Sequence, residues 1–144
     1  ASATIVISPA ALTITVNDAT RVYGQANPEF SLSYSGFANG EGVSVLQGTA
    51  AFATDATPSS NVGTYPVSVS GFTAANYDIS FVPGNLSITP ALLTATGTNI
   101  TAKAGTAFTG VVASFPNADP FGTAASYTAT IAWGDGQTST GIIT

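Results

Sequence analysis

Residues 10–16 read Ala10-Ala11-Leu12-Thr13-Ile14-Thr15-Val16, with an apolar side chain at every second position from Leu12 onward. Successive side chains on a strand point to opposite faces, so this spacing puts Leu12, Ile14 and Val16 on one face and the threonines on the other. The period predicts a half-buried β-strand. It recurs in Phe30, Leu32, Tyr34; in Tyr65, Val67, Val69; in Tyr77, Ile79, Phe81; and in Leu86, Ile88. Between the runs lie Gly24, Asn27-Pro28, Gly36, Asn39-Gly40, Pro58-Ser59-Ser60, Gly63 and Gly71, the turn formers expected between antiparallel strands. Glu41 to Leu46 lacks the alternation, and the three-residue spacing of Val43 and Leu46 predicts one short helical turn over the sheet. The fold class is therefore all-β.

Stepping outward from the first strand, Ile7-Ser8-Pro9-Ala10-Ala11-Leu12-Thr13 returns as Ile88-Thr89-Pro90-Ala91-Leu92-Leu93-Thr94, an offset of 81 residues. Each copy sets a proline between two strand-like runs, where a fixed φ and a missing N–H suit a junction rather than a ladder. Three segments follow: residues 1–9 as the last strand of a preceding module, 10–90 as a whole module, and 91–144 as the opening of another. Residues 3–8 match the closing run of the whole module, so they are expected to form a strand outside its sheet. In the last segment Tyr127, Ala129, Ile131 and Trp133 alternate, and Gly134-Asp135-Gly136 turns the chain into Thr138, Thr140 and Ile142, a hairpin. A two-sheet sandwich needs about seven strands, and residues 91–144 offer fewer. The segment is therefore expected to be an incomplete β-sandwich module, completed either by a longer chain or by strand addition from a neighbouring copy at edges carrying Val111, Val112, Ile131, Ile142 and Ile143.

The run Asp18-Ala19-Thr20-Arg21-Val22-Tyr23-Gly24-Gln25-Ala26-Asn27-Pro28-Glu29-Phe30, followed by Tyr34-Ser35-Gly36-Phe37, resembles the opening of the MBG ("mostly beta-grasp") domain of bacterial surface proteins. Val62-Gly63-Thr64-Tyr65-Pro66-Val67, Gly71-Phe72, Asn76-Tyr77 and Gly84-Asn85-Leu86-Ser87-Ile88 resemble its later motifs in order. The resemblance implies a β-grasp-like module with at most one short helix, repeated along secreted or wall-attached adhesin-like proteins, and brings no catalytic residues with it. Trp133-Gly134-Asp135-Gly136 resembles the turn of PKD-like and related Ig-like repeats over a short stretch.

Composition narrows function. The chain has 144 residues with 22 Thr and 15 Ser, only 6% charged residues, no His and no Cys, and its two basic residues are Arg21 and Lys103. The commonest general base and the thiol nucleophile are therefore missing. A net charge of −5 with two cations cannot neutralise a nucleic-acid backbone or hold an anionic lipid surface. Mean hydropathy is +0.35, yet Gly, Pro, Ser and Thr interrupt every apolar run well short of the ~18 to 20 residues a membrane span requires. No membrane insertion is expected. A cysteine-free chain fits a bacterial surface protein that folds without disulfides outside the cell, and equally a cytosolic protein.

Among candidate sites, Asp119 in Asn117-Ala118-Asp119-Pro120 and Asp135 in the Gly-Asp-Gly turn are the best oxygen donors for one Ca²⁺. Calcium takes six to eight oxygens, and seven acids scattered along the chain make a poor cage. Turn-forming Asp135, bonding its own backbone, is the simpler expectation. Glu29, Glu41, Asp18, Asp55 and Asp78 all sit in turn-like contexts, whereas paired-carboxylate hydrolysis needs two acids roughly 5 to 10 Å apart in a cleft. No enzyme and no cofactor are expected. Tyr23-Gly24-Gln25-Ala26-Asn27-Pro28 is read as a register-setting turn before a ligand loop, and Phe37, Phe72 and Tyr77 as core closure before a sugar platform. An isopeptide bond from Lys103 would need it buried beside an acid and a late-strand Asn, so Lys103 is expected to be exposed instead, and Asn85-Leu86-Ser87 and Asn99-Ile100-Thr101 fit the N-glycosylation pattern as accidents of a Thr- and Ser-rich composition. The expected role is a spacer, stalk or fibre-forming segment whose partners are neighbouring modules of its own chain or identical chains. The alternative is a module binding a surface polysaccharide or protein.

Overall fold

Alternating apolar residues build the first sheet around residues 10–16. In the computed structural model, which describes residues 2–103, 105–116 and 119–144, strand β1 (Ala10–Val16) lies between β3 (Leu32–Ser35) and β6 (Tyr77–Val82). A second sheet runs in the order β2, β7, β5, β4, with β2 at Ala19–Val22, β4 at Gln47–Ala53, β5 at Gly63–Thr73 and β7 at Gly84–Thr89. The chain divides into two units, Ala1–Pro90 and Ala91–Thr144. All seven of these strands belong to the first. The fold is all-β, and the only helical piece among the first unit's described residues is a 3-10 turn at Val43–Val45, within the stretch expected to carry one.

The core comprises Leu12, Ile14, Val16, Ala56, Val67, Val69, Tyr77, Leu86 and Ile88. Four of the five predicted alternating runs supply all of these except Ala56, while Phe30, Leu32 and Tyr34 of the fifth are partly buried against them. Each fully buried aliphatic side chain contributes about 1.5–3 kcal/mol relative to exposure. The run ending in Phe81 turns outward at its end, where Phe81 and Val82 are exposed.

Two pairings differ from the antiparallel neighbours expected from the turns. β1 pairs with β6 in parallel, from Ala10 beside Tyr77 to Thr15 beside Val82, and β2 pairs with β7 in parallel, from Ala19 beside Leu86 to Val22 beside Thr89. Both ladders keep one separation, 67 residues, which also spans the bond between Asp18 and Asn85 that joins them. The β1–β2 segment thus runs alongside β6–β7 while both change sheets, at Asn17-Asp18 on one side and Pro83 on the other. Gly84 makes this possible: a Cβ there would stand 2.4 Å from the Val16 carbonyl oxygen. The remaining pairs, β1 with β3, β4 with β5 and β5 with β7, are antiparallel, and the β4–β5 ladder is bulged between Gly48 and Ala51.

Residues 3–8, expected as a strand outside the module's sheet, make no pairing within it. Residues 2–9 carry no regular structure, and Ile5, Val6 and Ile7 are exposed. A strand exists through its ladder, and both edges of the neighbouring β1 are occupied by β3 and β6.

The second unit holds a two-residue pairing of β8 (Thr96–Gly97) with β9 (Ala113–Ser114), a 3-10 turn at Ala124–Ser126, and the hairpin of β10 (Ala129–Ala132) with β11 (Thr138–Gly141). None of its described residues is buried. Of the apolar residues expected at its edges, Val111 and Ile142 are exposed and Val112, Ile131 and Ile143 half-buried. No helix among the described residues is long and apolar enough to cross a membrane.

Candidate functional site

The loop leaving β2 concentrates the first unit's unusual polar chemistry. Alternation along β2 turns Arg21 inward, leaving it 6% exposed at the end of the core. A charge so buried needs partners at its nitrogens. Its Nε donates to Asn27 Oδ1 at 2.9 Å, Nη1 to the Val22 carbonyl at 3.3 Å, and Nη2 to the Thr57 carbonyl. Asn27 then donates from Nδ2 to the Ala56 carbonyl at 2.7 Å. The planar guanidinium, with several donors in a fixed fork, suits three acceptors converging from different segments.

Between Arg21 and Asn27 the chain makes a tight turn in which Gln25 N donates to the Val22 carbonyl at 3.2 Å. Gly24, third of the four residues, has φ of 84°, the conformation that a type II turn reserves for glycine. Tyr23 precedes it, packs against the core, and donates its N–H to the Thr89 carbonyl at 2.8 Å. The sequence Tyr-Gly-any residue therefore has a physical origin: a core-facing aromatic, an obligatory glycine and a free corner. Asn27, held extended by the following Pro28, presents its amide to Arg21 and to the 56–57 backbone. The opposing segment is itself shaped by Ser60, whose N–H donates to the Thr57 carbonyl while its Oγ accepts from Thr57 N, both at 2.9 Å. Arg21 and Asn27 bind each other and the module's own backbone, which fastens the end of β2 to the 56–57 turn. Sequence reasoning singled out the turn and overlooked Arg21 as its anchor; a lone arginine on the alternating face of a strand was the available signal.

The aromatic residues considered as a sugar platform lie in and against the core. Tyr77 is buried, and Phe37 and Phe72 are partly buried against the core. Phe37 meets Tyr77 edge-on at 5.9 Å and Tyr34 at 6.0 Å, and Phe30 meets Phe52 at 5.6 Å. The Tyr77 hydroxyl donates to Glu41 Oε2 and accepts from Ala38 N at 3.0 Å. The bond to Glu41, which favours the protonated phenol, raises its pKa above the usual 10.0. Beside it lies a groove of about 450 Å³, lined by residues including Ile7, Pro9, Asn39, Glu41, Asn76 and Tyr77.

Of the metal candidates, Asp119 Oδ1 accepts from Phe121 N at 2.8 Å, and Asp135 Oδ1 from Gln137 N at 2.9 Å. Asn117 and Ala118, quoted with Asp119, lie outside the described residues. Asp135 sits in a three-residue loop between Gly134 and Gly136, both at positive φ, closed by Trp133 N on the Gln137 carbonyl at 3.0 Å. Each carboxylate thus shapes its own turn. Among the described residues no three His, Cys, Asp or Glu side chains gather where they could hold a metal. Glu29, Glu41, Asp18, Asp55, Asp78 and Lys103 are exposed.

Two parallel ladders, one small core and a self-fastened Tyr-Gly turn define a small all-β module. Residues 12–87 match the family described as the MBG domain (YGX type), more than half of the chain, and the chain belongs to that family. The match begins inside β1 and ends inside β7, and Tyr23-Gly24 falls within it. No curated protein and no solved structure matches the chain.

Proposed function

We propose that the chain is a structural segment, a spacer or stalk, of a secreted or surface-attached bacterial adhesin-like protein, with no catalytic activity of its own. MBG domains occur in surface and adhesin-like repeat proteins, and a structural repeat is compatible with that setting. One observation carries the reading furthest: the Tyr23-Gly24 loop is tied by Arg21 and Asn27 to the backbone at Ala56 and Thr57. A loop built to recognise a ligand would leave such donors and acceptors facing outward. The inward aromatic residues support the same role.

A binding module is the second reading, favoured by the groove beside Tyr77. Residues 1–144, immobilised and challenged with bacterial and host polysaccharides and extracellular-matrix proteins, are expected to retain none saturably. Saturable capture weakened by Glu41→Gln would overturn the spacer in favour of the groove.

A further inference from the structure

The two parallel ladders join the strand nearest one end of the module to the strand nearest the other. Ala10 stands beside Tyr77 where the first ladder starts, and Val22 beside Thr89 where the second stops. The chain enters at residue 10 and leaves at residue 89. Tension applied through the flanking segments therefore pulls β1 and β7 in opposite senses along the strands, against partners running the same way. A ladder loaded along its axis stretches its bonds together; one loaded across its end opens them singly.

We propose that residues 10–89 form a shear clamp, a mechanical device that resists unfolding when pulled through its two ends. Four details serve that load. β1 is flanked by β3 and β6, and β7 by β2 and β5, so neither strand that first takes the force is an edge strand free to peel. The ladders are continuous across the change of sheet, where Asp18 Oδ1 accepts from Asn85 N at 2.7 Å and Gly84 seats against the Val16 carbonyl. Their ends are bolted by Ala10 N on the Asn76 carbonyl at 2.9 Å and Tyr23 N on the Thr89 carbonyl at 2.8 Å. Arg21, buried beside the exit, holds β2 to the 56–57 turn, while its carbonyl accepts from Thr89 Oγ1 at 3.3 Å. Forced unfolding is governed by the barrier to leaving the native state, and the clamp raises that barrier along the one direction a stalk is loaded. The proposal deepens the spacer reading, and the two fail separately: ligand capture bears on the first, direction-dependent force on the second.

The chain has no cysteine, so paired thiol handles define the pulling direction. Ser8→Cys with Leu92→Cys loads the ladders in shear; Ser8→Cys with Ala75→Cys opens the β1–β6 ladder from its start. All three positions are exposed, and equal thermal midpoints confirm intact folds. Asn76→Cys replaces Ala75→Cys if that variant melts lower. In single-molecule pulling of residues 1–144 at one speed, the 8–92 geometry is expected to need a severalfold higher force for unfolding of the first unit. Equal forces, or a weaker 8–92 geometry, would overturn the clamp.

Discussion

The chain carries one motif twice, and the two copies take opposite structures. Around Pro9, Ile7-Ser8 is irregular and Ala10–Thr13 is strand; around Pro90, Ile88-Thr89 is strand and Ala91–Thr94 is irregular. Ile7 is 90% exposed and Ile88 2%, while Leu12 is 0% exposed and its counterpart Leu93 43%. Local propensity is nearly the same in each pair, so the difference lies in what stands alongside. Ile88 has β2 and β5 as neighbours and Leu12 has β3 and β6, whereas Ile7 and Leu93 have no ladder at all. Partners, rather than residue preference, decide which half of a repeat becomes sheet.

The strongest way to sharpen this contrast is to truncate matched positions. Leu12→Ala is expected to cost about 2–5 kcal/mol, as a cavity in a closed core does, and Leu93→Ala to change stability by no more than about 0.5 kcal/mol. Urea titration of the first unit reads both. Comparable losses at the two sites would erase the distinction between the copies.

Removing the anchor that holds β2 beside the strand half of the second copy comes next. Arg21→Ala leaves the Thr57 carbonyl and Asn27 Oδ1 without their guanidinium donor, at a cost of about 1–3 kcal/mol. Arg21→Lys is expected to recover only part, because one ammonium cannot reach three diverging acceptors as the fork does. Amide exchange at Gly24 and Gln25 should accelerate in both variants, more in the alanine.

The prolines at the centre of each copy are both exposed and outside any ladder. Pro9→Gly and Pro90→Gly are therefore expected to shift the first unit's stability by no more than about 0.5 kcal/mol. A large drop in melting temperature for Pro90→Gly would show that the junction supports β7 directly.

The smallest effect concerns pH at the start of β6, beside Ala10. Bonding to Glu41 raises the Tyr77 pKa above 10.0, so over that range the native state binds the proton more tightly than the unfolded chain. Its contribution is complete below the unfolded value and is lost as pH rises through the folded one. Unfolding curves should show stability falling above about pH 10, with a shallower decline in Tyr77→Phe.

Much of the first sheet was legible because Leu12, Ile14 and Val16, like Val67 and Val69, announce their face by alternation. β4 was not: Gly48-Thr49-Ala50-Ala51 offers little apolar contrast, and its bulge breaks the period. β2 was hidden because its only buried side chain is an arginine, which a hydropathy pattern counts as outside. The parallel ladders escaped notice because nothing local encodes a pairing 67 residues away; the turns reveal only their nearest neighbours. For the loop, glycine and Asn-Pro disclosed the corner, while the clamp depends on the distant 56–57 backbone and becomes visible only in three dimensions.

The constant separation of the two ladders also sets a clock. While the polypeptide grows, β1 can meet β3 early, but its other edge must wait until residues 77–82 exist, and β2 must wait for residues 86–89. Closing so long a loop precedes any gain from the contacts it enables. A nascent chain ending before Tyr77 thus has neither parallel ladder, and the first unit completes itself only when its last strand arrives.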